Sequence, residues 1–164
     1  MARAALFAAL TAVCAWISIP VPPLRFTLQT LAILTALGLL GGRWGFVSIF
    51  LYLLLGAVGL PVFSGFRGGP GALLDVTGGF LWGFLLGGAA YWLTQRLGRR
   101  VAMGAFLLTV YGCGTLWYLT CVPEAGVWTV VTACVLPYLL PELAKLWLAD
   151  TLVRRLERNI KDLP

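Results

Sequence analysis

The stretch VAMGAFLLTVYGCGTLWYLTCVP, Val101 to Pro123, lies between Arg100 and Glu124 and carries no charge. A helix crossing a bilayer needs about 20 mostly apolar residues, and this run supplies them. Further uncharged runs lie at 4–24, 26–42, 44–66, 76–95 and 125–141. The composition agrees: 60% hydrophobic and 11% charged, with a mean hydropathy of +0.94. Soluble domains carry about 45–50% apolar and about 25% charged residues. The chain is therefore read as an all-α integral membrane protein, one domain over 1–164, with six helices at about 4–19, 28–42, 44–60, 77–97, 101–121 and 141–157. Val127 to Leu140 is too short and proline-interrupted for a span, so a short outer or re-entrant helix is expected there.

With most residues in spans, no room is left for a soluble domain, and nucleotide-driven work has to come from a partner. Arg3 before an apolar run mimics a signal peptide, but more spans follow at once, so it opens the first membrane helix. Histidine is absent, which removes the commonest general base and metal ligand. Cys14, Cys113, Cys121 and Cys134 lie in apolar stretches without a Cys-x-x-Cys pair and read as buried, unreactive thiols. No metal site is expected.

Basic residues set the orientation, because cytoplasmic loops retain Lys and Arg during insertion. With both termini inside, Arg3, Arg43, Arg96, Arg99, Arg100, Arg154, Arg155, Arg158 and Lys161 fall on the cytoplasmic face, and Arg25 and Arg67 outside. Lys145 remains within a span. The net charge of +6 is thus a topology signal rather than a nucleic-acid footprint. Three outer segments, 19–27, 61–76 and 122–141, hold eight of the nine prolines. Such loops are shaped, as a lid or a binding site requires.

Glu142 and Lys145 lie three apart, so on a helix they share one face, which must point into protein. Pro141 suits a first helical position, which would put Glu142 in the first turn at the positive end of the dipole. Arg154 follows Glu142 by about 18 Å of helix, so the pair lies in the outer half of the membrane. Intramembrane charges usually serve function; the alternative is a structural ion pair. The glycine-rich segment 64–71 lacks the Gly-Lys-Ser or Gly-Lys-Thr of a phosphate loop, so ATP binding is not supported. Its Arg67 reads either as a carboxylate clamp or as a solvated loop arginine. Ala4, Ala8 and Ala12 on helix 1, and Gly79, Gly83 and Gly87 on helix 4, form small-residue stripes. Internal packing explains the glycines; for the alanines, internal packing and docking of another subunit are both open. Phe26, Tyr52, Phe63, Phe66, Phe80, Trp82 and Tyr138, near the outer loops, read as a pocket lining or an interfacial belt.

Three stretches resemble one family: Phe26-Thr27-Leu28-Gln29-Thr30-Leu31; Tyr52-Leu53-Leu54-Leu55-Gly56-Ala57-Val58-Gly59-Leu60-Pro61-Val62-Phe63 with Thr77-Gly78-Gly79-Phe80; and Leu136-Pro137 with Pro141-Glu142-Leu143-Ala144-Lys145. Together they resemble BioY proteins, the biotin-specific S components of energy-coupling-factor (ECF) transporters. The resemblance implies a six-helix S-component bundle in the bacterial cytoplasmic membrane that binds biotin under the outer loops after helices 1 and 3. It implies as partners a transmembrane coupling protein and two ATPase subunits, which use the ATP, with no cofactor in this chain and no enzymatic activity. It implies docking through Ala4, Ala8 and Ala12. The ligand contacts it implies are Glu142 near the ureido ring, Lys145 and Arg67 near the carboxylate, and Tyr52, Phe26, Gln29 and Phe63.

The chain departs from the resembling family in four places. The family usually has aspartate at Glu142, Gly-Pro at Asp75-Val76, glutamine at Trp16 and proline at Arg25. Two other classes compete. An intramembrane enzyme with Glu142 as base and Lys145 as nucleophile has neither a histidine nor a serine elbow to support it. An S component or channel for another small acid such as lipoate is the alternative within transport.

Overall fold

The computed structural model describes residues 1–21 and 24–161, with side chains at 21, 24, 160 and 161 left aside; Pro22-Pro23 and 162–164 lie outside the described residues. Its helices are α1 (Ala2–Trp16), α2 (Gln29–Ala57), α3 (Pro70–Leu74), α4 (Gly78–Thr94), α5 (Arg99–Cys121), α6 (Val127–Cys134) and α7 (Leu136–Lys161). Strands β1 (Ser18–Val21) and β2 (Leu24–Thr27) form an antiparallel hairpin between α1 and α2, with Ser18 opposite Thr27 and Pro20 opposite Arg25. This hairpin occupies the proline-rich outer segment that reads from sequence as a shaped loop.

α2 is two rods, not one. Gly41 adopts φ 77° and ψ 168°, a left-handed conformation that breaks the helix and that a side chain at this position would oppose. Gly45 then lies against Leu37: an ideal Cβ there would be 2.7 Å from the Leu37 Cα. Eight residues of straight helix would hold those positions about 12 Å apart, so the chain doubles back. The two rods match the helices expected at 28–42 and 44–60. α1, the halves of α2, α4, α5 and α7 make the six apolar rods. α5 meets the length and hydropathy of a membrane span unaided, as does Gln29–Ala57 taken whole; α6 with 136–159, bent by 41°, makes a third.

The final helix differs from expectation. It begins at Leu136 and contains Pro141, rather than starting there. Pro137, in the first turn where a missing N–H costs nothing, is the proline that suits the start. Glu142 consequently sits in the second turn, and its placement rests on side-chain partners rather than on the helix dipole.

The glycine stripe of α4 packs internally. Ideal Cβ atoms at Gly79, Gly83 and Gly87 would meet Trp117, Val110 and Phe106 of α5 at 2.1, 3.0 and 2.9 Å. Gly83 faces backbone, which cannot rotate away. Gly83→Ala is expected to destabilise the bundle by about 1–3 kcal/mol. Gly104→Ala, with nothing within 4 Å of its Cβ, is the neutral control. Thermal unfolding in detergent measures both.

The alanine stripe also faces inward, against the docking expectation. Ala4, Ala8 and Ala12 are 1%, 2% and 6% exposed, and α1 packs on α2 through them. Their small side chains permit that close approach, and large apolar residues, Leu6, Leu10 and Val13, occupy the outward side. The thiols are mixed as well: Cys134 is buried, Cys14 and Cys113 are half-buried, and Cys121 is exposed.

Arg99, Arg100 and Arg154 converge on the buried Asp150 at 2.9, 2.9 and 3.2 Å, and Arg99 also reaches Glu157 at 2.9 Å. This cluster ties the start of α5 to α7 at one end of the bundle. The cavity described next opens toward the other: Tyr118, on its wall, lies about 28 Å of helix from Arg99.

Candidate functional site

A cavity of about 380 Å³ lies beneath the hairpin and the loop after α2. That is within the range of small-molecule sites, about 300–1,000 Å³. Its walls are Phe26, Thr27, Gln29 and Thr30 from β2 and α2; Phe63, Ser64 and Arg67 from the loop; Phe80 and Phe84 from α4; Tyr111 and Tyr118 from α5; and Tyr138 and Glu142 from α7. Phe80 meets Tyr111 edge to face at 6.0 Å, and Val130, Cys134 and Tyr138 of α6 and α7 close the aromatic cluster from the side. Two aromatic rows facing one space give a slot suited to a flat apolar ring.

One group in this slot is out of balance. Glu142 and Lys145 are each 5% exposed. The Lys145 ammonium donates to Glu142 Oε1 at 2.6 Å, to the Thr27 carbonyl at 2.6 Å and to Thr30 Oγ1 at 3.2 Å. An ammonium has three donors, so all are used. The Thr30 hydroxyl in turn donates to Glu142 Oε1 at 3.1 Å. Phe26 lies over the Lys145 ammonium at 4.0 Å, adding a cation–π contact. Glu142 Oε2 has no partner; among the described residues it is the one buried side-chain polar atom so left. A buried acceptor without a donor costs about 1–3 kcal/mol, so this atom has the capacity to accept from an N–H or O–H brought into the cavity.

Gln29 and Tyr52 hold the wall. The Thr27 hydroxyl donates to Gln29 Oε1 at 2.9 Å, the Gln29 amide donates to the Tyr52 hydroxyl, and Tyr52 donates to the Val62 carbonyl at 3.2 Å. Tyr52 does not line the cavity. It lies behind Phe63, edge to face at 5.5 Å, and fixes that ring. Phe63 also fills the space over Gly56, where a Cβ would be 2.0 Å from its Cζ. The conspicuous 52–63 motif is thus a packing unit that presents Phe63.

At the mouth, Arg67 is held by three groups: Asp75 Oδ2 at 2.5 Å, Thr77 Oγ1 at 3.3 Å and the Ser64 carbonyl at 3.4 Å. The Val76 N–H and then the Arg67 guanidinium hold the Asp75 carboxyl below its usual range. Trp16 reaches across from α1 to donate to the Pro61 carbonyl at 2.8 Å and to stack on Phe66 at 5.3 Å. Asp75 and Trp16, two of the departures in sequence, are therefore partners in bracing this loop. Arg25 also lines the mouth.

The profile of the BioY family matches residues 1–162. The chain belongs to the BioY family. Among relatives, the biotin transporter BioY of Thermotoga maritima is 40% identical over 124 residues, 66% of this chain and 73% of that protein. The probable biotin transporter BioY of Pyrococcus horikoshii is 36% identical over 155 residues, 94% of both chains. A crystal structure of the S component for biotin from an ECF-type ABC transporter superimposes with a TM-score of 0.86 at 24% identity, covering 96% of this chain and 89% of that one. The six-rod bundle is accordingly the S-component fold.

In this BioY chain the structure brings Glu142, Phe26, Gln29, Phe63 and Arg67 to one cavity. It leaves out two expected contacts. Lys145 lies behind Glu142 with its donors spent, and Tyr52 lies behind Phe63. Sequence reading missed Thr27 and Thr30, although both fall in the 26–31 motif, and Tyr111 and Tyr118, which are ordinary aromatics of α5 until that helix is packed. Arg25 and Asp75 were visible as departures, without a role. Among the described residues, no group of three His, Cys, Asp or Glu residues gathers to hold a metal.

Proposed function

We propose that this chain binds biotin at high affinity and serves its uptake as the membrane-embedded S component of an ECF-type ABC transporter, with ATP hydrolysed by partner subunits. The carrying observation is Glu142 Oε2, a buried acceptor without a protein donor in an aromatic slot. Biotin offers ureido N–H donors on an apolar bicycle, followed by an apolar chain and an acid. The ureido edge pairs with Glu142, which Lys145 and Thr30 orient through the other oxygen. The bicycle lies among Phe26, Phe63, Phe80 and Tyr111, and the acid points to the mouth. The names of the relatives and of the structural neighbour support the same ligand.

Lipoate, the alternative acid, carries no N–H donor on its ring and would leave Oε2 unpaired. Basic residues favour both termini inside, with the cavity facing out, and the Asp150 cluster at the opposite end agrees. Docking of the coupling protein on α1 uses its outward side, around Leu6, Leu10 and Val13, because α2 covers the alanines. Purified protein in detergent, without ATP, is expected to retain radiolabelled biotin and to release it to excess biotin but not to excess lipoate. Equal release by lipoate, or no retention, overturns the reading.

A further inference from the structure

We infer that Arg25 is the residue that recognises the ligand's acid group and so sets the preference for a carboxylate over its neutral analogues. The inference rests on the biotin reading and goes beyond it. Of the three cations at or beside the cavity, one is spent and one is neutralised by a neighbouring carboxylate. Lys145 commits its three donors to Glu142, Thr27 and Thr30 and does not reach the cavity wall. Arg67 is paired with Asp75 and bonded to Thr77 and Ser64. Arg25 lines the same cavity, and its guanidinium has no ion pair or hydrogen bond with any described residue.

It is exposed and reaches from the hairpin to the loop after α2. Arg25 sits in β2 opposite Pro20, and its guanidinium lies on Gly65, where a Cβ would be 3.1 Å from both Arg25 Cζ and Nη1. Gly65, with φ 74°, is thus the seat that lets the arginine cross from the hairpin to the loop. The electrostatics agree. Arg67 and Asp75 cancel, so Arg25 supplies the net positive charge of the mouth. A planar fork of donors without a partner matches a carboxylate in two-point geometry. The Arg67–Asp75 pair then braces the loop and does not receive the anion.

The test uses the full chain in detergent, titrated calorimetrically with biotin and with biotin amide. Wild type is expected to prefer biotin. Arg25→Gln is expected to lose about tenfold in biotin affinity while keeping its affinity for the amide, so that the preference disappears. Retained amide binding shows that the variant is folded. Arg25→Lys should keep part of the preference, and Arg67→Gln should weaken both ligands together, preserving their ratio. A full preference in Arg25→Gln, or its loss in Arg67→Gln instead, overturns the inference. Equal binding of both ligands by wild type also overturns it and leaves the biotin reading intact. If wild type binds neither, the biotin reading itself fails.

Discussion

Glu142→Gln is expected to weaken biotin binding by about ten- to a hundredfold, from a change of one oxygen to one amide nitrogen. The reason lies in how the carboxylate is held. Oε1 accepts from both Lys145 and Thr30, so in the variant the amide oxygen must stay at that position. The NH2 group is then forced to the place of Oε2, facing the cavity. A donor there meets the ureido donors. Glu142→Asp keeps an acceptor and restores the residue usual in the family, at the expense of reach, so it should be tolerated better. Calorimetric affinities of wild type, Asp and Gln forms, with size-exclusion profiles for folding, give the order. A Gln variant that binds as tightly as wild type would remove Glu142 as the ureido acceptor.

Lys145→Met is expected to have the largest effect on stability, about 3–5 kcal/mol, because it strands a carboxylate that is 5% exposed. Biotin and biotin amide should lose affinity in the same proportion, since the lysine orients Glu142 and does not touch the acid. This separates the orienting role from the carboxylate contact that the motif alone implies. The double variant Glu142→Gln with Lys145→Met should recover much of the thermal stability and none of the binding, because the stranded charge is gone but so is the acceptor. If Lys145→Met unfolds at the wild-type temperature, the pair is not a buried one. If it lowers biotin affinity and spares the amide, the carboxylate role returns.

Hydropathy carried most of the fold. The uncharged runs around 101–123 and 76–95 mark rods because lipid selects for apolar length whatever the packing partner is. Arg43, which separates the uncharged runs 26–42 and 44–66, marks the break inside α2, and the structure places the left-handed backbone at the neighbouring Gly41. The start of α7 was misplaced by one proline, because Pro137 and Pro141 are equally good helix-start signals in isolation and only the packed chain selects the first.

The residues of the site were legible in sequence as types, and their roles were not. Intramembrane Glu142 and Lys145 are conspicuous because charges there need a reason. Which of them meets a ligand depends on where Thr27 and Thr30, more than a hundred residues earlier, place their oxygens. Tyr52 reads as a ligand contact, but its hydroxyl is taken by Val62 and it lies behind Phe63, whereas Arg67 lines the cavity with three of its five donors on Asp75, Thr77 and Ser64. Ala4, Ala8 and Ala12 show the same limit: a small-residue stripe announces that a helix approaches closely, and here that helix is α2 of the same chain. The sequence by itself determined that this protein lies in a membrane, where its apolar rods lie and that Glu142 and Lys145 are buried, because these follow from local polarity, while the burial of Asp150 came only with the packed helices. Only the tertiary structure decided which polar atoms are spent on each other and which, Glu142 Oε2 and the Arg25 guanidinium, have no partner among the described residues, because hydrogen-bond saturation is a property of distant groups brought into contact.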